Sequence, residues 1–143
     1  MRFPTVPRLL AALLATTATA AHSNEPFPSF LERFCQSAAA EHTGATHFHL
    51  DRIAFPLKIK SSNTEQQEPK TSYLTSRKEY DPTTRTIHLP LCSGDGGLKD
   101  RRIVRTAQTA TVHFKFGAGP QSILEFARKG SRWFLIAIEV QET

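Results

Sequence analysis

The chain has 143 residues, of which 39% are hydrophobic and 22% charged, with 18 basic against 13 acidic side chains and a formal charge of +5. Those fractions suit one ordinary globular domain and exclude a disordered or low-complexity chain. The charge is too mild to predict a nucleic-acid partner.

The first elements concern address rather than fold. Arg2 and Arg8 precede an almost purely Leu, Ala and Thr run from Leu9 to Ala21. Ala18-Thr19-Ala20 then supplies small residues where a signal peptidase reads. A cationic start, a short apolar run and an A-x-A site predict a secretory signal peptide over residues 1–20. The apolar run is about 13 residues, short of the roughly 20 that span a membrane. The expected product is therefore soluble, periplasmic or secreted, and without a stable membrane anchor. The signal holds two of the cations and no acid, which leaves 16 against 13, or +3.

Cys35 and Cys92 both lie beyond the signal. An even count in an oxidising compartment predicts a disulfide between them; the alternative is two free thiols, at least one of them buried among apolar neighbours. Neither belongs to a C-x-x-C pair, and none follows the signal directly, so redox catalysis and a lipid anchor are not expected.

Residues 21–28 form a polar, Pro-containing lead-in to a single domain over 29–143. Ser29 and Glu32 have capping-box spacing, and Phe30, Leu31, Phe34, Cys35 and Ala38 recur on one helical face. This predicts an amphipathic helix over 29–41. Downstream, Ile53, Phe55, Leu57 and Ile59 alternate as a strand, with Pro56 pointing to an edge or a bulge. Residues 61–70 read as a polar loop and Ser72–Lys78 as a short strand. A turn follows at Asp81-Pro82. Ile87, Leu89 and Leu91 alternate again up to a glycine turn at residues 93–97. Residues 101–107 are ambiguous; Val112, Phe114 and Phe116 alternate clearly. Ser122–Arg128 and Arg132–Gln141 flank Lys129-Gly130-Ser131 as a hairpin. Phe134, Ile136, Ile138 and Val140 are expected on one face of its second strand, and Trp133, Leu135 and Ala137 on the other. The fold class is α+β, with one N-terminal amphipathic helix packed on a curved antiparallel sheet of five to six strands.

The stretch Phe126-Ala127-Arg128-Lys129-Gly130-Ser131-Arg132-Trp133-Phe134-Leu135-Ile136 resembles the C-terminal hairpin of nuclear transport factor 2-like domains. The helix and Arg52-Ile53-Ala54-Phe55-Pro56-Leu57 resemble a family of small exported bacterial domains of unknown function built on that cystatin-like cone. The resemblance spans about residues 27–140 and implies a helix-filled, cone-shaped sheet. It carries no agreed catalytic residues, and the fold usually has two or three long N-terminal helices where one is read here.

Four constellations carry candidate chemistry. His47-x-His49-x-Asp51 in a strand would put two imidazoles and a carboxylate on one face, where Zn²⁺ or Cu²⁺ could bind; solvated side chains entering the next strand are the alternative. Ser93-Gly94-Asp95-Gly96-Gly97 with Asp100 is a fragment of a Ca²⁺ loop lacking the terminal Glu, and reads better as a glycine turn. Lys99, Arg101, Arg102 and Arg105 form a basic cluster that would receive a phosphate or carboxylate, or else a solvated charged face. His88, His113 and Glu125 stand on presumptive strands, with His113 and Glu125 pointing away from the core. No catalytic set, resident metal or cofactor is predicted. The function expected is a non-enzymatic binding module whose partner is another protein or a small apolar ligand, compatible with a homodimer. The alternatives are an inhibitor or toxin-immunity protein, and a small periplasmic isomerase or hydrolase.

Overall fold

The computed structural model describes residues 24–142 apart from 45–46, 64, 66–67 and 86–87, together with residues 2 and 4. The A-x-A site and apolar run of the expected signal peptide lie outside the described residues.

The main helix, α1, runs Phe27–Ala39 and starts two residues earlier than its sequence pattern suggests. Pro26 is its extended N-cap and Pro28 lies in the first turn, where a missing N–H forfeits no helical hydrogen bond. Ser29 is thus inside the helix, and no side chain caps its start. Phe27, Phe30, Leu31, Phe34 and Ser37 form the buried stripe. A 3-10 turn at Glu41–Thr43 and a short helix, α2 (Phe48–Asp51), follow.

Six strands form one sheet: β1 (Ile53–Asn63), β2 (Lys70–Leu74), β3 (Leu98–Arg105), β4 (Thr109–Phe116), β5 (Gln121–Lys129) and β6 (Arg132–Glu142). Their order is β2-β1-β6-β5-β4-β3. All neighbours are antiparallel except β1 and β6, which run parallel, so the sheet is mixed. Across that seam Ile59 faces Ile138 on the core side, and Lys60 faces Glu139 on the other, a favourable cross-strand charge pair.

Two irregularities redistribute side chains between the faces. In β1, the steps from Ile53 to Lys58 span only Leu135 to Ala137 of β6, and the cis Phe55–Pro56 bond lies in this bulged stretch. Pro56 therefore sits in a bulge within the sheet, not on an edge strand. In β6, one extra residue stands between Leu135 and Ala137, opposite Phe126 and Glu125. Trp133 and Leu135 face the core before it, and Ile138 and Val140 after it. A single-face row of Phe134, Ile136, Ile138 and Val140 is thus corrected: the bulge shifts the alternation.

Two further expectations change. Residues 88–92 form no strand; Leu89, Pro90 and Leu91 are buried as an irregular segment, and Ile87 lies outside the described residues. Cys92 ends this segment and is disulfide-bonded to Cys35 of α1, with Cα atoms 5.4 Å apart. The Ser72–Lys78 strand splits into β2 and a short helix, α3 (Arg77–Tyr80). Ser76 Oγ accepts from Glu79 N–H and Glu79 Oε2 from Thr75 N–H, so α3 has close to the capping-box arrangement that α1 lacks.

The core is an aromatic stack between α1 and β5–β6. Phe27, Phe30 and Phe34 meet the Phe126 ring edge-on, with centroids 5.5, 5.5 and 5.3 Å away. Trp133 closes on Phe27 at 5.0 Å. Phe34→Ala should cost about 3–5 kcal/mol as a core truncation, read from urea unfolding midpoints; a loss below about 1 kcal/mol would mean the stack is not the core.

Candidate functional site

Helix α1 spans about 20 Å at 1.5 Å per residue, and its rings cover the Phe126–Trp133 end of the sheet. Toward the other end, the same face of β1 and β6 presents Ile59, Ser61 and Val140. Register places Lys70 and Ser72 of β2 opposite Ser61 and Ile59, so these side chains share that face. With Thr71, His88, Pro120 and Glu142 they line a cleft of about 710 Å³. Ile59 and Val140 are buried and make an apolar floor; Ser61, Lys70, His88 and Glu142 supply hydroxyl, ammonium, imidazole and carboxylate groups around it. The volume lies in the usual range for small-molecule sites, roughly 300–1,000 Å³.

A second polar group joins α1 to the short helices. Ser37 Oγ lies 2.7 Å from His49 Nδ1 and accepts the His49 backbone N–H. His49 Nε2 is 3.5 Å from Glu41 Oε1, and Glu41 takes Arg85 through both oxygens, at 3.2 and 3.1 Å. Arg85 also donates to the Tyr80 carbonyl and stacks on its ring at 4.6 Å. Burial alone would raise the Glu41 carboxyl, but hydrogen bonds from His49 and Arg85, the Arg85 charge and the Tyr80 hydroxyl lower it to about 2. Burial, reinforced by the Glu41 carboxylate, raises the Tyr80 hydroxyl. Ser37 hydrogen-bonded to His49, with Glu41 3.5 Å beyond the other ring nitrogen, has the composition of a hydrolytic triad without its second hydrogen bond. Here Ser37 and His49 are 4% and 0% exposed, so a substrate cannot reach the hydroxyl, and the cluster fixes the 3-10 turn and α2 against α1.

This placement corrects the His47-x-His49-x-Asp51 reading. The triplet lies on and before α2, not on a strand, so the spacing of two no longer aligns the side chains. His47 is exposed, His49 turns inward to Ser37, and Asp51 Oδ1 accepts from Arg77 at 2.9 Å. No three His, Cys, Asp or Glu among the described residues are grouped to hold a metal.

Residues 93–97 form a glycine turn, in which Gly96 and Gly97 adopt φ of 76° and 75°. It docks on the loop after β4 by backbone bonds, Ala118 N–H to the Asp95 carbonyl and Gly117 N–H to that of Gly97. Asp100 accepts the Arg101 N–H. The basic cluster lies on β3 and divides between its faces. Arg101 and Arg105 pair with Phe114 and Ala110 on the core side, whereas Arg102 pairs with His113 on the other. Lys99 sits at a register irregularity beside Gly117. Glu125 is exposed and His113 half-buried on the outer face, and His88 lies at the cleft rim.

Sequence reasoning missed another paired site. Glu25 binds Arg52 through both carboxylate oxygens, at 2.6 and 3.0 Å, and accepts the Trp133 N–H, while its carbonyl takes the Trp133 indole N–H at 3.0 Å. Burial raises the Glu25 carboxyl, but the Arg52 hydrogen bonds, the Trp133 N–H and the charges of Arg52 and Arg132 leave it lowered. Glu25 is tied to residues 27 and 108 positions along the chain, a pairing that no local pattern announces.

A mixed sheet packed on an N-terminal helix, open at one end, defines the class of fold, which is nuclear transport factor 2-like, or cystatin-like. Solved structures of that class superpose on it. An NTF2-like protein from Cytophaga hutchinsonii matches with a TM-score of 0.54 at 9% identity, over 83% of this chain and 100% of its own. A cystatin-like protein of unknown function from Nostoc punctiforme matches at 0.52 and 9%, over 85% and 95%. An NTF2-like protein from Bacteroides fragilis matches at 0.52 and 19%, over 84% of this chain; the chain spans about half of that protein, 48%. At such identities the likeness is one of fold. No family model and no curated protein matches the sequence.

Proposed function

We propose that this chain is an exported, non-enzymatic domain that binds a small, mainly apolar molecule in the cleft floored by Ile59 and Val140. The cleft itself carries the reading: about 710 Å³ on the helix-bearing face, at the end that α1 leaves uncovered. Ser61, Lys70 and His88 would orient a polar group of the ligand at the rim. Export is supported by the signal-like residues 1–20 and by a disulfide that an oxidising compartment would maintain.

N-phenyl-1-naphthylamine, a neutral dye that brightens in apolar surroundings, tests the site. The dye should bind saturably, and Ser61→Trp, which fills the cleft, should weaken binding at least tenfold with unchanged far-UV circular dichroism. Equal binding by the variant would overturn the assignment. Native mass spectrometry of unreduced protein from the exported fraction should show loss of residues 1–20; the full-length mass there would overturn processing.

A further inference from the structure

We propose a second binding site, separate from the apolar cleft, that takes a small organic molecule through a phosphate or carboxylate group, with Arg105 and Arg128 as its cations. The site is a groove of about 600 Å³ at the opposite end of the β5–β6 hairpin, between residues 24–28, the turn after β3 and Trp133. It resolves the ambiguity of the basic cluster: Arg105 alone of those four residues lines this groove, and its partner Arg128 comes from β5.

Three independent observations support an anion here. First, neither the exposed Arg105 nor the half-buried Arg128 forms an ion pair among the described residues, whereas Arg52 and Arg85, the more deeply buried cations, each grip a carboxylate. Second, the Arg128 guanidinium is held against the Trp133 ring, 4.7 Å from its centroid, and its Nε is buried with no hydrogen-bond partner among the described residues. A buried donor left unmatched is costly, and a guanidinium placed over an aromatic ring can still donate to a ligand from its N–H edges. Third, the start of α1 opens onto the same groove with no capping side chain and no acid in its first turn, so its positive dipole end adds to the two charges.

The carboxylate in the lining, Glu25, does not compete. Both of its oxygens are already held by Arg52, and the Trp133 N–H adds a further bond. Arg132 also acts on it. The balance of charge around the groove therefore stays positive. Its volume far exceeds one phosphate ion, which points to an organic molecule anchored by its anionic group.

Trp133 is the chain's single tryptophan and reports directly on Arg128. Titration with inorganic phosphate, and separately with citrate, at low ionic strength should shift its emission saturably below millimolar concentration for at least one of them, and the responding anion distinguishes phosphate from carboxylate chemistry. Arg105→Gln, an exposed residue whose loss should spare folding, should weaken binding at least tenfold. Arg128→Lys keeps the charge but loses the planar fork, and should also weaken it. Arg102→Gln, on the other face of β3, should leave binding unchanged. A response to neither anion, or equal weakening by Arg102→Gln and Arg105→Gln, would overturn the site; the dye cleft is untouched by either result.

Discussion

Glu41→Ala should lower the unfolding free energy by about 3–5 kcal/mol, because it strands Arg85 in the interior without a counter-charge. Arg85 and Glu41 side chains are each 7% exposed, so water cannot replace the lost partner. Adding Arg85→Met to this variant should restore part of the loss, since the orphaned charge goes with it. Urea unfolding of the two single variants and the double variant measures the coupling; strictly additive losses would show that the pair does not act as a unit. Acid titration offers a second reading. The Glu41 carboxyl is lowered from 4.5 to about 2 in the folded protein, so the unfolded chain binds its proton more readily. The stability it contributes is complete above about pH 4.5 and drains away as pH falls toward 2, a total of roughly 3 kcal/mol. Glu25, also lowered, adds in the same direction. Glu41→Gln, which has no carboxyl to titrate, should show a shallower loss across this window, and an equal slope would contradict the assignment.

Reducing the Cys35–Cys92 bond should destabilise the protein by about 4 kcal/mol on the chain-entropy model, given the 57-residue separation it closes. For a domain of this size that corresponds to a fall in Tm of about 10–20 °C. The tether matters in the native state too. It pins the irregular segment bearing Leu89 and Leu91 to α1, and that segment joins no strand ladder; its hydrogen bond to the sheet among the described residues is from the Ser122 hydroxyl of β5 to the Leu91 carbonyl. Calorimetry with and without reductant decides the matter; identical melting curves would show that packing alone keeps the segment docked.

Local patterns of strong period carried much of the fold. The stripe of Phe30, Leu31 and Phe34, the β5–β6 hairpin and the alternation of Val112, Phe114 and Phe116 were all legible, because each buries one face and spacing alone fixes which; Phe27, read as part of the lead-in, was not. Where two local rules compete, reading failed. Ser29-x-x-Glu32 has capping-box spacing, yet Pro28 suits a first turn and moves the start upstream; the working Ser76-x-x-Glu79 pair straddled the end of the strand read over Ser72–Lys78. Leu89 and Leu91 alternate, but Pro90 between them has no N–H for a ladder. The bulge at Ile136 reversed an alternation that looked unbroken. The polar sites were the least legible. Glu41 with Arg85 and Glu25 with Arg52 are tertiary pairs, and the anion groove joins Arg105 to Arg128 across strands that only register brings together.

The parallel seam between β1 and β6 sets the order in which this molecule can be made. Strands β3 to β6 succeed one another as hairpins and need only short loop closures, whereas Ile59 meets Ile138 some 80 positions along the chain. Such long-range pairing is entropically late. The β1–β2 hairpin has no other neighbour in the sheet, so it stays unattached until β6 arrives, and β6 is the final strand. A nascent chain therefore exposes an unfinished sheet until β6 is free to pair. Under the proposed export, in which the chain would cross a membrane as an extended thread, that delay would keep it threadable until β6 could complete the sheet on the far side.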